Sequence, residues 1–259
     1  MEVLSYYLGD DIICGTTLRS GGVSTEQKFS LNLGINVEDK LENVIENRKR
    51  LAQYLNISID QMIAPSQTHT INVKKVTLAD SGKGMTEPSL DLADVDGLYT
   101  RDKNLCLLTF HADCIPVLLY EKKQQLIAAI HAGWKGNVNG IVLHTIQMLC
   151  EKENCDPQNF VCIIGPSLGY ANFEAKDDII SKVKQLPFST KFYYYQKAKG
   201  NYLLDAKGLI KEQLLYCGVT LDNIHISPLC TKAHPDMFYS YRNNHHCGRH
   251  ASFIMIKSS

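Results

Sequence analysis

Three short stretches concentrate side chains that an apolar core does not select: SQTHT at 66–70, FHADCIPV at 110–117 and AAIHAGWKG at 128–136. They supply two imidazoles and one thiol, His69, His131 and Cys114. Zinc accepts mixed nitrogen and sulfur donors in a tetrahedron, and three protein ligands leave the fourth position for water or substrate, the pattern of a catalytic site. Taken singly, each residue has a plainer reading: a buried cysteine is usually an inert packing group, and a single histidine a satisfied core or surface residue. His111 is a rival ligand, because HxxC spacing also occurs in zinc sites. A metal-free alternative makes Cys114 the nucleophile and His131 the base of a Cys–His hydrolase or deamidase, and leaves His69 without a task.

Each stretch abuts an apolar run that must hold it in place. Runs rich in branched residues at 72–77, 105–110, 115–120, 126–131, 160–164, 224–227 and 252–257 predict strands, several buried on both faces because polar alternation is weak. Helical periodicity marks 37–55, 137–151, 175–185 and 206–217, the last followed by Gly218. The pattern is mixed α/β. Cys114 follows one strand and precedes Pro116, so pairing is expected to break there and present Asp113 and Cys114 at a bend. His131 closes another strand, and Gly133 permits a tight turn towards a helix; such junctions are where α/β proteins usually place ligands. In the first helix Arg48 shares a stripe with Leu41, Val44, Ile45, Leu51 and Leu55. It either snorkels or pairs with a carboxylate, or serves as an anion ligand. The polar segment 79–90 is expected to be an exposed loop.

Composition narrows the classes. A chain of 259 residues is long enough to bury a sizeable core, and one domain over 1–259 is the favoured organisation. Lys plus Arg total 27 and Asp plus Glu total 27, so no long-range field draws the protein to nucleic acid or an acidic membrane. The start, MEVLSYYLGDDIICG, does not read as a signal peptide, and no run is long and apolar enough to span a bilayer. Nine cysteines without a CxxC pair fit reduced thiols and a cytoplasmic location. Protein partners are not indicated.

The chain also resembles a known family, first called polyphenol oxidase or laccase-domain proteins and later purine nucleoside phosphorylases. The resemblance rests on GGVS at 21–24, SLNLG at 30–34, ENRKRL at 46–51, SQTHT at 66–70, ADCIPVL at 112–118, HAGWKG at 131–136, IGPSLGYANFEA at 164–175, LCT at 229–231 and FYSYRNNHHCGRHASFI at 238–254. It implies a single layered α/β/β/α-type domain similar to the cytotoxic necrotizing factor catalytic fold. It implies a metal on His69, Cys114 and His131, the trio chosen above from donor chemistry. It further implies phosphorolysis of adenosine, inosine, guanosine and S-methyl-5′-thioadenosine to the base and a ribose 1-phosphate, with adenosine deamination as a second activity. The chain departs from the family pattern at Thr70, where a glycine is usual, at Lys135, where an arginine is usual, and at Asn243 and Asn244, where SYRRD is usual. Lysine at 135 lacks the planar fork for bidentate oxyanion contacts.

On this reading the cofactor is Zn2+, polarising a water for attack at purine C6, and Asp113 either relays the proton or is an ordinary turn residue. Phosphorolysis needs cations to hold phosphate, for which Arg48, Arg242 and Arg249 are the candidates, with Ser24 and Asn32 as polar helpers. Each arginine has the alternative of a surface charge or structural ion pair. Phe173 is a candidate for stacking on the purine, or a core aromatic. Copper, Cu2+, is disfavoured: a multicopper centre draws on many histidines, typically in HxH pairs, and this chain has 9 His and no HxH.

Overall fold

The computed structural model describes residues 1–258. In chain order its elements are β1 (Val3–Tyr6), β2 (Ile12–Thr17), α1 (Leu41–Tyr54), β3 (Met62–Ile63), β4 (Val73–Lys75), β5 (Gly97–Thr100), β6 (Cys106–His111), β7 (Ile115–Glu121), β8 (Leu126–Ala132), α2 (Trp134–Val138), α3 (Ile141–Glu153), β9 (Phe160–Ile164), β10 (Glu174–Lys176), α4 (Asp177–Val183), β11 (Tyr194–Ala198), β12 (Asn201–Leu204), α5 (Ala206–Tyr216), β13 (Ile224–Ile226) and β14 (His250–Ile256). They form a five-stranded sheet, β1-β2-β14-β6-β3, a six-stranded sheet, β13-β9-β7-β8-β5-β4, and a three-stranded sheet, β10-β12-β11.

Alternation along the strands explains how the two large sheets stack, because successive side chains point to opposite faces. Ile12, Cys14, Leu107, Ile254 and Ile256 of the first sheet pack with Leu98, Leu118, Ile127, Ala129 and Ile163 of the second. The outer face of the five-stranded sheet, with Cys106, Leu108, Phe253 and Met255, packs on Leu51 and Ala52 of α1 and on Leu55 at its C-terminal cap. The outer face of the six-stranded sheet, with Val117, Leu119, Ala128 and Ile130, packs on α3 and α5 through Ile141, Ile146, Leu149, Leu209 and Leu214. The result is an α/β/β/α arrangement, the layered class that the family resemblance implied.

Registers place the chemistry. Antiparallel pairing of β7 with β8 sets Pro116 opposite His131, so the bend that carries Cys114 lies beside that histidine. Pairing of β5 with β8 sets Gly97 opposite Ile130 and brings Asp96 to the same end. All seven strands expected from apolar runs occur in place; β1, β2, β3, β5 and β10 to β12 were not expected, most being short, β11 largely exposed, and the six-residue β2 ending in Gly15, Thr16 and Thr17 in place of an apolar run. Two helices differ from expectation. The periodic run 137–151 is broken between α2 and α3 at Gly140, whose φ of 76° lies in the left-handed region. The run at 175–185 opens with β10 before α4 begins at Asp177. Among the described residues no helix is long and apolar enough to cross a membrane.

Candidate metal centre

His69, Cys114 and His131 converge. Their ligand atoms all lie within 4.8 Å of one another, and Cys114 Sγ is 3.6 Å from His69 Nε2. The two imidazoles meet edge to face, with centroids 4.9 Å apart. Tetrahedral zinc with one sulfur and two nitrogen ligands separates its ligand atoms by about 3.5 Å, so the donor set fits such an ion in chemistry and in spacing.

The surrounding chain is shaped to bring these atoms together. His131 shares the inter-sheet face of β8 with Ile127 and Ala129 and is buried. His69, in the irregular segment before β4, has a φ of 66°, and Asp113, immediately before Cys114, a φ of 85°. Left-handed backbone at a non-glycine residue costs about 1 kcal/mol or more and persists only where surroundings enforce it. Gly133 makes room for the His69 ring, since a Cβ there would collide with it.

Asp96 supplies much of that enforcement, and sequence reasoning passed over it. Its fully buried carboxylate lies 2.8 Å from His131 Nδ1 and accepts the backbone N–H groups of His69 at 3.1 Å and Thr70 at 2.6 Å. Thr70, the departure from the family glycine, donates its hydroxyl to the same carboxylate at 2.7 Å. Because a carboxylate only accepts, the proton of a neutral His131 sits on Nδ1, and Nε2 keeps its lone pair for the cluster. Burial works against ionisation of Asp96, but His131 and Thr70 outweigh it and hold the carboxyl below its usual range. Burial likewise opposes the Cys114 thiolate, yet His131 and His69 pull the thiol down to about 6. For His131, burial favours the neutral ring, and Cys114 with Asp96 overcomes it, raising the imidazole to about 9.

The trio opens onto a cavity of about 620 Å³, within the range of small-molecule sites. Phe173, Arg242 and Arg249 line it, together with Asp113, Trp134 and Tyr241. The Arg242 guanidinium stacks over the Phe173 ring at 5.6 Å, and that of Arg249 over Tyr241 at 5.8 Å. Among the described residues these two arginines are the only Arg or Lys side chains on the cavity wall.

Other expected site residues lie elsewhere. Arg48 is not at the cavity: it is 1% exposed, donates to the carbonyls of Leu33, Gly84 and Met85 at 2.7–2.9 Å, and stacks over Phe110 at 4.6 Å. Its stripe position is explained by these carbonyl partners, correcting the anion-ligand expectation. Ser24 and Asn32 are also turned to structure. Both donate to Asp39 Oδ2, at 2.7 and 2.8 Å, and the Asn32 carbonyl oxygen accepts from the backbone of Gly34 and Arg249. His111, the rival ligand, stands outside the donor cluster; its Nε2 pairs with the Ser252 hydroxyl at 2.8 Å. Lys135 does not line the cavity, so its missing fork removes no contact there. Asn243 donates to the Lys232 carbonyl, and Asn244 accepts from the His246 backbone.

Comparison with known proteins adds an independent line. Residues 13–257 match the family model described as "Multi-copper polyphenol oxidoreductase laccase". The purine nucleoside phosphorylase YlmD of Bacillus subtilis (strain 168) is 37% identical over 250 residues, covering 96% of this chain and 90% of the relative. The crystal structure of the hypothetical protein YfiH from Bacillus licheniformis superposes with a TM-score of 0.93 at 33% identity, covering 95% of this chain and 93% of that one. That of YlmD from Geobacillus stearothermophilus gives 0.92 at 30% identity, covering 96% and 93%.

Proposed function

Since the chain belongs to the family described as multi-copper polyphenol oxidoreductase laccase, some of whose relatives are named purine nucleoside phosphorylases, we propose that it is a zinc-dependent enzyme of that latter kind. It splits adenosine, inosine, guanosine and S-methyl-5′-thioadenosine with phosphate, giving the base and ribose 1-phosphate, and deaminates adenosine as a second activity. The observation that carries this reading is the convergence of two imidazoles and a thiol on the wall of a cavity that also holds two arginines and an aromatic ring.

His69, Cys114 and His131 would hold the zinc, which would supply Lewis acidity to a substrate or water beside it. Asp96 orients His131 and fixes its proton on Nδ1. Arg242 and Arg249 offset the charge of phosphate, and Phe173, already stacked on a guanidinium, offers a face to the purine. The cavity is large enough for nucleoside and phosphate together. Packing of all four layers around shared cores supports one domain over residues 1–259, and nine free cysteines support a cytoplasmic location.

One observation favours a second reading. A thiol held at about 6 beside a raised imidazole is what a metal-free Cys–His hydrolase or deamidase uses, with Cys114 attacking and His131 as base. That pair gives no task to His69. Copper oxidation of phenols is less well supported, because the described residues hold a single His/Cys/Asp/Glu group suited to a metal. An assay of the purified protein with adenosine and inosine, with and without phosphate, tests the proposal. Phosphate-dependent release of base, abolished by chelation and restored by zinc, is expected. Turnover that survives chelation and stops on alkylation of Cys114 would transfer the assignment to the hydrolase.

A further inference from the structure

We propose that Asp113 is a positioning residue that clasps the cationic wall of the cavity against Cys114, a role distinct from both the proton relay and the ordinary turn residue weighed from sequence. Its Oδ1 accepts the Thr231 hydroxyl at 2.6 Å, and its Oδ2 accepts the Ser240 hydroxyl at 3.0 Å and the backbone N–H of Arg242 at 2.7 Å. Its carbonyl oxygen accepts the backbone N–H of Leu168 at 2.9 Å. Three segments distant in sequence, around 168, 231 and 240–242, therefore meet at the residue that precedes Cys114.

The pattern of donors explains how the carboxylate holds these segments together. A carboxylate offers about four acceptor sites, and three of them receive hydrogen bonds here. Ser240 Oγ itself accepts from the Asn243 N–H, which turns its own proton towards Asp113. The Arg242 N–H belongs to the backbone and cannot rotate away, so this contact is fixed by the course of the chain. The left-handed backbone at Asp113 is the local cost of aiming the side chain across the gap.

What the clasp fixes is the place of Arg242. That residue is tied through its backbone to Asp113 and through its guanidinium to the Glu174 carbonyl and the Phe173 ring. Releasing the backbone end displaces the charge relative to Cys114. The clasp thus sets how well an oxyanion is held beside the trio and has little influence on the chemical step. This inference rests on the reading above, in which Arg242 receives phosphate.

The test is Asp113→Asn in the zinc-loaded full chain, with Thr231→Val and Ser240→Ala each removing one donor. For Asp113→Asn, KM for phosphate is expected to rise about tenfold, the scale of one lost hydrogen bond to a charged group. Its kcat should stay within about twofold, with zinc content and the shape of the kcat pH profile unchanged. The two single-donor variants should give smaller rises, about threefold each, and they decide the matter if Asp113→Asn does not accumulate as folded protein. A drop in kcat with an unchanged phosphate KM and a missing limb of the pH profile would make Asp113 a proton carrier and overturn the clasp. Unaltered kinetics in all three variants would overturn it as well. Inorganic phosphate alone provides a readout that needs no turnover: at the same concentration it should raise the Tm of the wild type more than that of Asp113→Asn. If the wild type cleaves no nucleoside but this difference persists, the clasp stands and the phosphorylase reading falls. Equal stabilisation of both proteins, or none in the wild type, removes the clasp.

Discussion

Two sets of histidines stand at the same end of the inter-sheet layer and meet opposite fates. His131 on β8 and the pair His111 and His250, which face each other across β6 and β14, are almost equally buried at 3%, 1% and 0% exposed. Behind His131 stands the Asp96 carboxylate, and in front of it the Cys114 thiol. His111 has only the Ser252 hydroxyl, which in turn touches Thr16, and His250 accepts the backbone N–H of Tyr239. Burial drives His111 well below its usual value and His250 down to about 3, whereas for His131 the two acidic neighbours reverse the effect of burial and raise it to about 9. Burial alone makes a histidine a neutral packing group. A carboxylate behind the ring and a thiolate in front turn the same side chain into a candidate ligand.

The contrast predicts its largest consequence at the ligand atoms. Cys114→Ala or His131→Ala should leave zinc stoichiometry near zero after dialysis, while His111→Phe should retain about one zinc per chain. Elemental analysis decides, and zinc loss in His111→Phe with normal folding would erase the distinction between the two sets. Next come the supports. Asp96→Asn is expected to weaken zinc binding about 10–100-fold, the usual effect of losing such a partner. Ser252→Ala, which removes the equivalent partner of His111, should change it by less than about twofold, measured by chelator competition.

A third difference appears in thiol chemistry. In the zinc-free protein, alkylation of Cys114 should reach half its limiting rate near pH 6, because the neighbouring imidazoles favour the thiolate. Cys106 and Cys162, whose thiols burial pushes up, should stay unmodified in the folded chain, and zinc should protect Cys114. A Cys114 profile with an ordinary midpoint near 8.5 would remove the claimed electrostatic coupling.

The smallest expected effect concerns acid stability. His250 has a folded value depressed to about 3, against about 6.5 in an unfolded chain, so below that upper value the unfolded state binds the extra proton. Its contribution is complete above about pH 6.5 and is lost progressively as pH falls towards 3. Unfolding at pH 5 should therefore take up protons, measurable from the slope of Tm against pH. A flat Tm between pH 6.5 and 4 would mean that His250 is not held neutral.

The convergent group His69, Cys114 and His131 was legible because its residue types stand at the ends of apolar runs, where a core has no use for them. Asp96 was not legible: in LADVDG at 92–97 it reads as one acid among turn residues, and only the β5–β8 register carries it beside His131. Arg48 stood out as an oddity on its helical stripe, but its partners are backbone carbonyls at 33, 84 and 85, which sequence pattern does not reveal. The strands expected from apolar runs form in place, whereas β10 to β12 pair with one another and reach the core through isolated residues, Ala175, Tyr202 and Leu204, too few to mark an apolar run.

X-ray absorption at the zinc edge of the protein loaded with one equivalent of zinc addresses the site most directly. The spectrum should fit one sulfur at about 2.3 Å, two imidazole nitrogens at about 2.0 Å and one further light atom. A shell without sulfur, or one fitted by four protein ligands with no place left open, would contradict a three-ligand centre at His69, Cys114 and His131.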